Sequence, residues 1–293
     1  MADEPLVEIA SDELSAAINP FGAELTHLRD ADGRELMTDA DPAYWTGHAP
    51  LLFPIVGRLN GDAYRLDGAS YALPQHGFAR RQTFLLTEHH PGRAKFLLQD
   101  TEATRAVYPF AFALEAEYAV EGPTLVTTIT VTNRDSRPMP ASFGFHPAFA
   151  WPLPYGEPRD SHRIEFAHDE SAPLSAIVPG GLIGPDPRPS PLDGRVLHLA
   201  DDLFDRDALV WDRLVSQSLI YGAETGPQLL IEFPDTPKLG IWTKPGARFL
   251  CIEPWHGRAD DAGFAGEIRD KPGMLHFAPG EARQFVMRVT LRR

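Results

Sequence analysis

Only one cysteine, Cys251, occurs in the 293 residues. That excludes an intrachain disulfide and any metal site built from several thiolates. A single thiol fits a reducing compartment. No stretch approaches the roughly 20 apolar residues that a membrane-crossing helix needs. The first ten residues, MADEPLVEIA, are acidic and lack the basic-then-apolar order of a secretory signal. The expectation is a cytoplasmic protein with no membrane partner. Positive charge is short: 27 Lys and Arg stand against 41 Asp and Glu, a formal charge of -14. Such a surface repels phosphate backbones, so no nucleic-acid partner is expected. It also disfavours a strongly anionic substrate, unless a local arginine pocket overrides the field. No GxxxxGK[ST] phosphate loop, GxGxxG after a strand, GxSxG elbow or HExxH helix occurs. Long stretches of helical period are missing as well.

What the chain has in plenty is punctuation and alternation. Glycine (24) and proline (28) recur throughout. FALEAEYAV sets Phe112, Leu114, Ala116, Tyr118 and Val120 on one face, and TLVTTITVTN alternates in the same way after Gly122 and Pro123. Two such runs around a Gly-Pro turn predict a hairpin. A second hairpin turns at Asp67 and Gly68, and a third near Asp30 to Gly33. The C-terminal ARQFVMRVTLRR places Phe285, Met287, Val289 and Leu291 on one face. Many antiparallel strands closing into a large all-β sandwich are expected, as one domain over residues 1–293. The least regular region, about 153 to 205, is rich in proline. It reads as a long surface excursion between strands, because similar strand patterns flank it.

Four stretches offer chemistry. ASFGFHPAFAW, from Ala141 to Trp151, sets one imidazole among aromatics. Read as a strand, it puts Ser142, Gly144, His146 and Ala148 on one face and Phe143, Phe145 and Phe149 on the other. The aromatic face suits a core, and the small residues leave space beside His146. On pattern alone, a site role and a buried structural role stand level for this histidine. In ALPQHGFARRQTF, Gly77 after His76 permits a sharp turn or a close backbone approach. An exposed loop histidine beside solvated Arg80 and Arg81 is the plainer reading there. RFLCIEPWHGRADD aligns Phe249, Cys251 and Glu253 on one strand face, with Pro254 ending the strand. A carboxylate in that place, beside Trp255, is poised for desolvation, which raises its pKa towards that of a general base. Pairing with Arg258 is the bland alternative. In LLFPIVGRLNGDAY, Arg58 offers a multi-donor fork for hydroxyls or a carboxylate, or else a surface ion pair. Glu253 and His256 have metal-ligand character, but the proline between them breaks a helical i, i+3 pair, and no metal is expected.

Five motifs in order, APLLFPIVGRL, QHGFAR, SFGFHPAF, LGIWTKPG and CIEPWHGRADD, resemble those of the aldose 1-epimerase (galactose mutarotase-like) family, most closely its LacX-like bacterial branch. The likeness runs from INPFGAEL near the start to LHFAPGE near the end. It implies a β-supersandwich of many antiparallel strands with few short helices, and no cofactor. It implies a mutarotase, interconverting the α and β anomers of a hexose or related aldose by acid/base ring opening and closure. Matched motif by motif, the family's arginine falls on Arg58, its histidines on His76 and His146, and its glutamate on Glu253. Glu253 is then the base at the anomeric hydroxyl and His146 the acid at the ring oxygen. Arg58 and His76 bind hydroxyls, and Trp242 or Trp255 stacks on the sugar. The family's sugar-holding aspartate has no clear counterpart; the stretch around Asp235 or the Trp242–Lys244 segment stands in for it. The partner is a small-molecule sugar and the state a monomer or homodimer. Three rivals remain: a sugar-binding or sensing protein on the same fold, a phosphosugar mutarotase using Arg80, Arg81, Lys244 or Arg258, and a carbohydrate lyase or hydrolase.

Overall fold

The alternating runs on either side of Gly122 and Pro123 form two ten-residue strands, Phe112–Glu121 and Thr124–Asn133, paired antiparallel. Their buried faces carry the apolar positions of the alternation, from Phe112 and Leu114 to Leu125 and Ile129. This computed structural model describes residues 5–293; the first four residues of the acidic N-terminal stretch lie outside the described residues.

The hairpin lies inside a nine-stranded sheet whose central strand is Ala282–Arg292. Ala282–Arg292 pairs with Thr124–Asn133 on one side, and Arg93–Gln99 with Phe112–Glu121 on the other. A second sheet of six strands holds Phe249–His256 and Lys238–Trp242 side by side. Two short strands, Phe143–Gly144 and Ala148–Ala150, pair with the free side of Phe249–His256. The two sheets meet through aromatic side chains. Phe143 stacks on Phe285 at 5.1 Å, and Phe166 meets Trp211 edge-on at 5.5 Å. Each such contact adds roughly 0.5–1.5 kcal/mol beyond the area it buries. The expected antiparallel β architecture is present. Among the described residues the only α-helix is Glu102–Val107, capped by Thr101, and no helix is long and apolar enough to cross a membrane.

Three expectations need correction. The 153–205 stretch is more than a surface excursion: it supplies the strand His162–Phe166 to the nine-stranded sheet. His162, Ile164 and Phe166 face inward there, a five-residue alternation hidden among prolines. The turn after Glu24–Asp30 returns through a single bridge, Arg29 to Glu35, instead of a full second strand. Pro254 does not end its strand, which continues to His256. The missing N–H of Pro254 faces Phe145, whose own N–H still donates to the Pro254 carbonyl at 3.0 Å, so only one ladder bond is lost.

Candidate active site

The register of the six-stranded sheet brings His146 and Glu253 together. Gly144 pairs with Trp255 and Ala148 with Cys251, so His146 lies opposite Glu253 where the ladder is interrupted. The interruption has a covalent cause. Phe145 N–H donates to the Pro254 carbonyl and Ile252 N–H to the Pro147 carbonyl, but neither proline can return a bond. The pair between them occupies a non-hydrogen-bonded position, where opposing side chains approach closely. His146 Nε2 stands 3.1 Å from Glu253 Oε2, and both side chains are almost fully buried.

This pair is set in the wall of a cavity of about 330 Å³. Trp255, two residues beyond Glu253 on the same face, forms part of that wall. Its indole lies flat against the sheet because Gly144 and Gly240 flank it: a Cβ on either would come within 2.5 Å of the ring. Trp45 and Trp242 form another wall, edge to face at 5.8 Å, with Trp45 packed on the His146 ring at 5.1 Å. Ile177 and Ile183, from the hairpin Ile177–Val178 and Leu182–Ile183, complete the lining on a further side.

His76 enters from a strained turn. Its φ is 65°, a left-handed value that costs a non-glycine residue on the order of 1–3 kcal/mol. Two hydrogen bonds to Gly57 offset that cost: His76 N–H donates to the Gly57 carbonyl at 2.9 Å, and Gly57 N–H donates to His76 Nδ1 at 3.1 Å. The second bond leaves the ring proton on Nε2, which faces the Gln75 side-chain amide at 3.2 Å. Gly57 admits no larger residue, since a Cβ there would lie 2.4 Å from the Ala259 nitrogen. The His76 and His146 rings meet at 5.7 Å.

Burial decides the resting charges. Desolvation lowers His146 to a pKa of about 3 and holds His76 well below the ordinary imidazole value. Desolvation also raises the Glu253 carboxyl well above its ordinary range, and the charge of Asp207 pushes the same way. The Trp255 indole N–H acts weakly in the opposite direction, without the alignment of a true hydrogen bond. Both members of the 3.1 Å pair therefore favour their neutral forms. The burial of both groups favours a carboxylic acid facing a neutral imidazole across 3.1 Å.

Five of the six residues singled out from sequence line this cavity: His76, His146, Trp242, Glu253 and Trp255. Arg58 is not among the lining residues. Its guanidinium forks onto Asp62 at 2.8 and 2.7 Å, and what it gives the site is a carbonyl that accepts the Asp260 N–H. The arginines of the cavity are Arg80 and Arg258. Arg258 is held by Asp261 at 2.8 Å, whereas Arg80 has no ion-pair partner among the described residues and its Nε is buried without a hydrogen bond. Asp235 lines a different depression, beside His256; the aspartate of the cavity is Asp207. Asp207 sits at a φ of 72°, and its Oδ1 accepts the Ala208 N–H. Sequence reasoning missed Asp207 and Trp45. The one available signal was a tryptophan among turn residues in DPAYWTG. For metal, the one group of ligand-type side chains among the described residues is His146, Cys251 and Glu253.

The aldose 1-epimerase family model matches residues 5–286. The chromosomally encoded protein LacX of Lactococcus lactis is 32% identical over 283 residues, covering 93% of this chain and 95% of that one. Among solved structures, a galactose mutarotase related enzyme from Lactobacillus acidophilus superposes with a TM-score of 0.90 at 31% identity, covering 98% of this chain and 97% of its own. A galactose mutarotase-like protein from Lactobacillus casei superposes at 0.92 with 29% identity, covering 98% and 100%.

Proposed function

The chain belongs to the aldose 1-epimerase family, and from that premise we propose that it is a mutarotase of free aldoses, with one domain over residues 1–293 and a role like that of LacX. The observation that carries the proposal is the buried pair of His146 and Glu253, 3.1 Å apart in the wall of a sugar-sized cavity.

Mutarotation needs one proton taken from the anomeric hydroxyl and one delivered to the ring oxygen. A pair that holds a single proton meets both needs. Transfer of the Glu253 proton to His146 makes a carboxylate and an imidazolium. The carboxylate then takes the O1 proton while the imidazolium gives its proton to O5. The C1–O5 bond breaks, and O1 becomes the aldehyde oxygen. After rotation about C1–C2, O5 attacks the other face of C1, its proton returns to His146, and Glu253 restores the proton of O1. The His146 proton then passes back to Glu253, so atoms and charge balance and the pair ends as it began. No electron moves, so the step itself requires no cofactor. Removing either proton carrier is expected to cost roughly 10²–10⁴-fold in rate, or about 3–5 kcal/mol of barrier.

Trp45, Trp242 and Trp255 supply faces on which the C–H side of a sugar can lie. His76 Nε2–H, Asp207 and Arg80 supply donors and acceptors for its hydroxyls. Arg58 acts through its backbone in this reading. One observation favours a second reading: among the described residues Arg80 meets no carboxylate, donates only to the Gln75 carbonyl at 2.9 Å, and is half-buried in the cavity. That suits a sugar carrying a negative group.

The test is polarimetry or NMR of freshly dissolved α-D-glucose and α-D-galactose, with glucose 6-phosphate in parallel. The expected result is faster equilibration of a free sugar, lost in His146→Ala and Glu253→Gln. Acceleration confined to the phosphosugar would select the second reading. Saturable sugar binding without acceleration would make the protein a binder.

A further inference from the structure

Cys251 has no part in the proposed reaction, yet it lies two residues from Glu253 on the same face of the strand Phe249–His256. One ligand atom from each of His146, Cys251 and Glu253 falls within 4.8 Å of the other two, and all three residues are buried. Imidazole, thiolate and carboxylate together make a donor set for Zn²⁺, whereas Mg²⁺ and Ca²⁺ take oxygen ligands. Zinc bonds of about 2.0–2.3 Å space tetrahedral ligand atoms roughly 3.3–3.6 Å apart. The His146 and Glu253 atoms already stand at 3.1 Å. From the 4.8 Å limit the thiol has to approach by roughly 1.2–1.5 Å at most, within reach of a side-chain rotation.

Access favours an ion here: His146 and Glu253 line the cavity, with Cys251 behind them on the same strand as Glu253, so an ion can enter from its mouth and keep a water on the open side. Charge also balances. Zn²⁺ with one thiolate, one carboxylate and a neutral imidazole sums to zero. A buried cluster that ends neutral avoids the cost of an uncompensated charge.

We propose that His146, Cys251 and Glu253 form a Zn²⁺ site in the cavity wall, and that the ion bound there inhibits the protein. Inhibition follows because the ion occupies both groups of the proton-moving pair. Binding stands on the three side chains alone; the inhibitory effect rests on the mutarotase reading.

The test uses the full chain and zinc chloride in a weakly coordinating buffer. Zinc binding is measured by calorimetry, the Co²⁺ complex by its thiolate-to-metal absorption, and mutarotation by polarimetry. Cys251→Ala and Cys251→Ser are compared with the wild type, and magnesium chloride is the hard-ion control. One zinc per chain is expected in the wild type. Both variants should keep mutarotase activity and bind zinc at least about tenfold more weakly, since loss of even an outer-shell partner costs that much. Inhibition should be relieved by sugar and weaken in step with binding. Wild-type protein that binds no zinc, or variants that bind it equally well, would overturn the site. Zinc binding that depends on Cys251, in a protein with no mutarotase activity to inhibit, would leave the site standing and remove the functional reading.

Discussion

Replacing Glu253 with glutamine should make the protein slower and more stable at once, and the stability gain should grow with pH. The carboxyl is buried opposite His146, and desolvation holds its pKa well above 4.5. In the unfolded chain the same group ionises near its ordinary value. Below that value both states hold the proton, and the carboxyl contributes no pH slope. Above it the unfolded state releases the proton and the folded state does not. Folding then loses about 1.4 kcal/mol per pH unit until the folded carboxyl itself ionises. Glutamine has no proton to lose, and its neutral amide can face His146 without a buried charge. The variant should match the wild type near pH 4.5 and exceed it by about 2 kcal/mol near pH 6. Urea unfolding at several pH values reads the gap, and polarimetry reads an activity roughly 10²–10⁴-fold lower. A gap that stays constant with pH would show that burial does not hold the carboxyl protonated. Retained activity would remove Glu253 from the proton path.

Other consequences follow from the same geometry. His146 is pushed from 6.5 to about 3 by burial. Its contribution to stability is complete above about pH 6.5 and drains away as pH falls towards about 3, reaching roughly 5 kcal/mol. His146→Asn should therefore flatten the acid limb of the urea-stability profile, and an unchanged limb would show that the imidazole charges freely in the fold. Arg58→Ala removes a half-exposed ion pair with Asp62 worth about 0–1 kcal/mol. It should leave KM for sugar nearly unchanged, whereas Arg80→Ala should raise it; the opposite ranking would return the sugar-binding role to the Arg58 side chain. Gly240→Ala forces a Cβ to within 2.5 Å of the Trp255 ring. It should cost about 1–3 kcal/mol by overpacking and raise KM as the indole lifts, which thermal melts and a KM-against-kcat comparison would register.

Much of this was readable because a β-strand announces its faces. The period-two runs at 112–120 and 125–131 could bury in only one way, and turn residues fixed where each hairpin reversed. His146 and Glu253 were legible as an imidazole beside small residues and a carboxylate on an apolar strand. What remained hidden depends on contacts between distant segments. Asp62, at a left-handed φ of 52°, turns its carboxylate onto Arg58 and draws the guanidinium out of the cavity. No spacing rule reveals that choice. Asp207 and Trp45 arrive on loops, and only the folded sheets decide which loops meet. In sequence Pro254 reads as a terminator because proline usually breaks ladders. Here its carbonyl is used and its nitrogen faces a position that does without a partner.

Two prolines, then, do related work. Pro147 and Pro254 each flank one member of the His146–Glu253 pair, and each removes a single N–H from the same stretch of ladder. The strands stay in register, because the remaining bonds lie on both sides of the gap. Between them the 146–253 position is left with its side chains closely opposed and buried. Burial of both groups favours a neutral pair with one proton over an ion pair facing water. A reaction that runs in both directions benefits from that store. The two anomers of a sugar differ little in energy, so neither fixed base nor fixed acid suits every half-reaction. A pair that can hold its proton on either partner resets after ring closure from either face. The same neutrality is what burial of the pair favours in the empty site, so the fold and the proposed chemistry call for the same resting state.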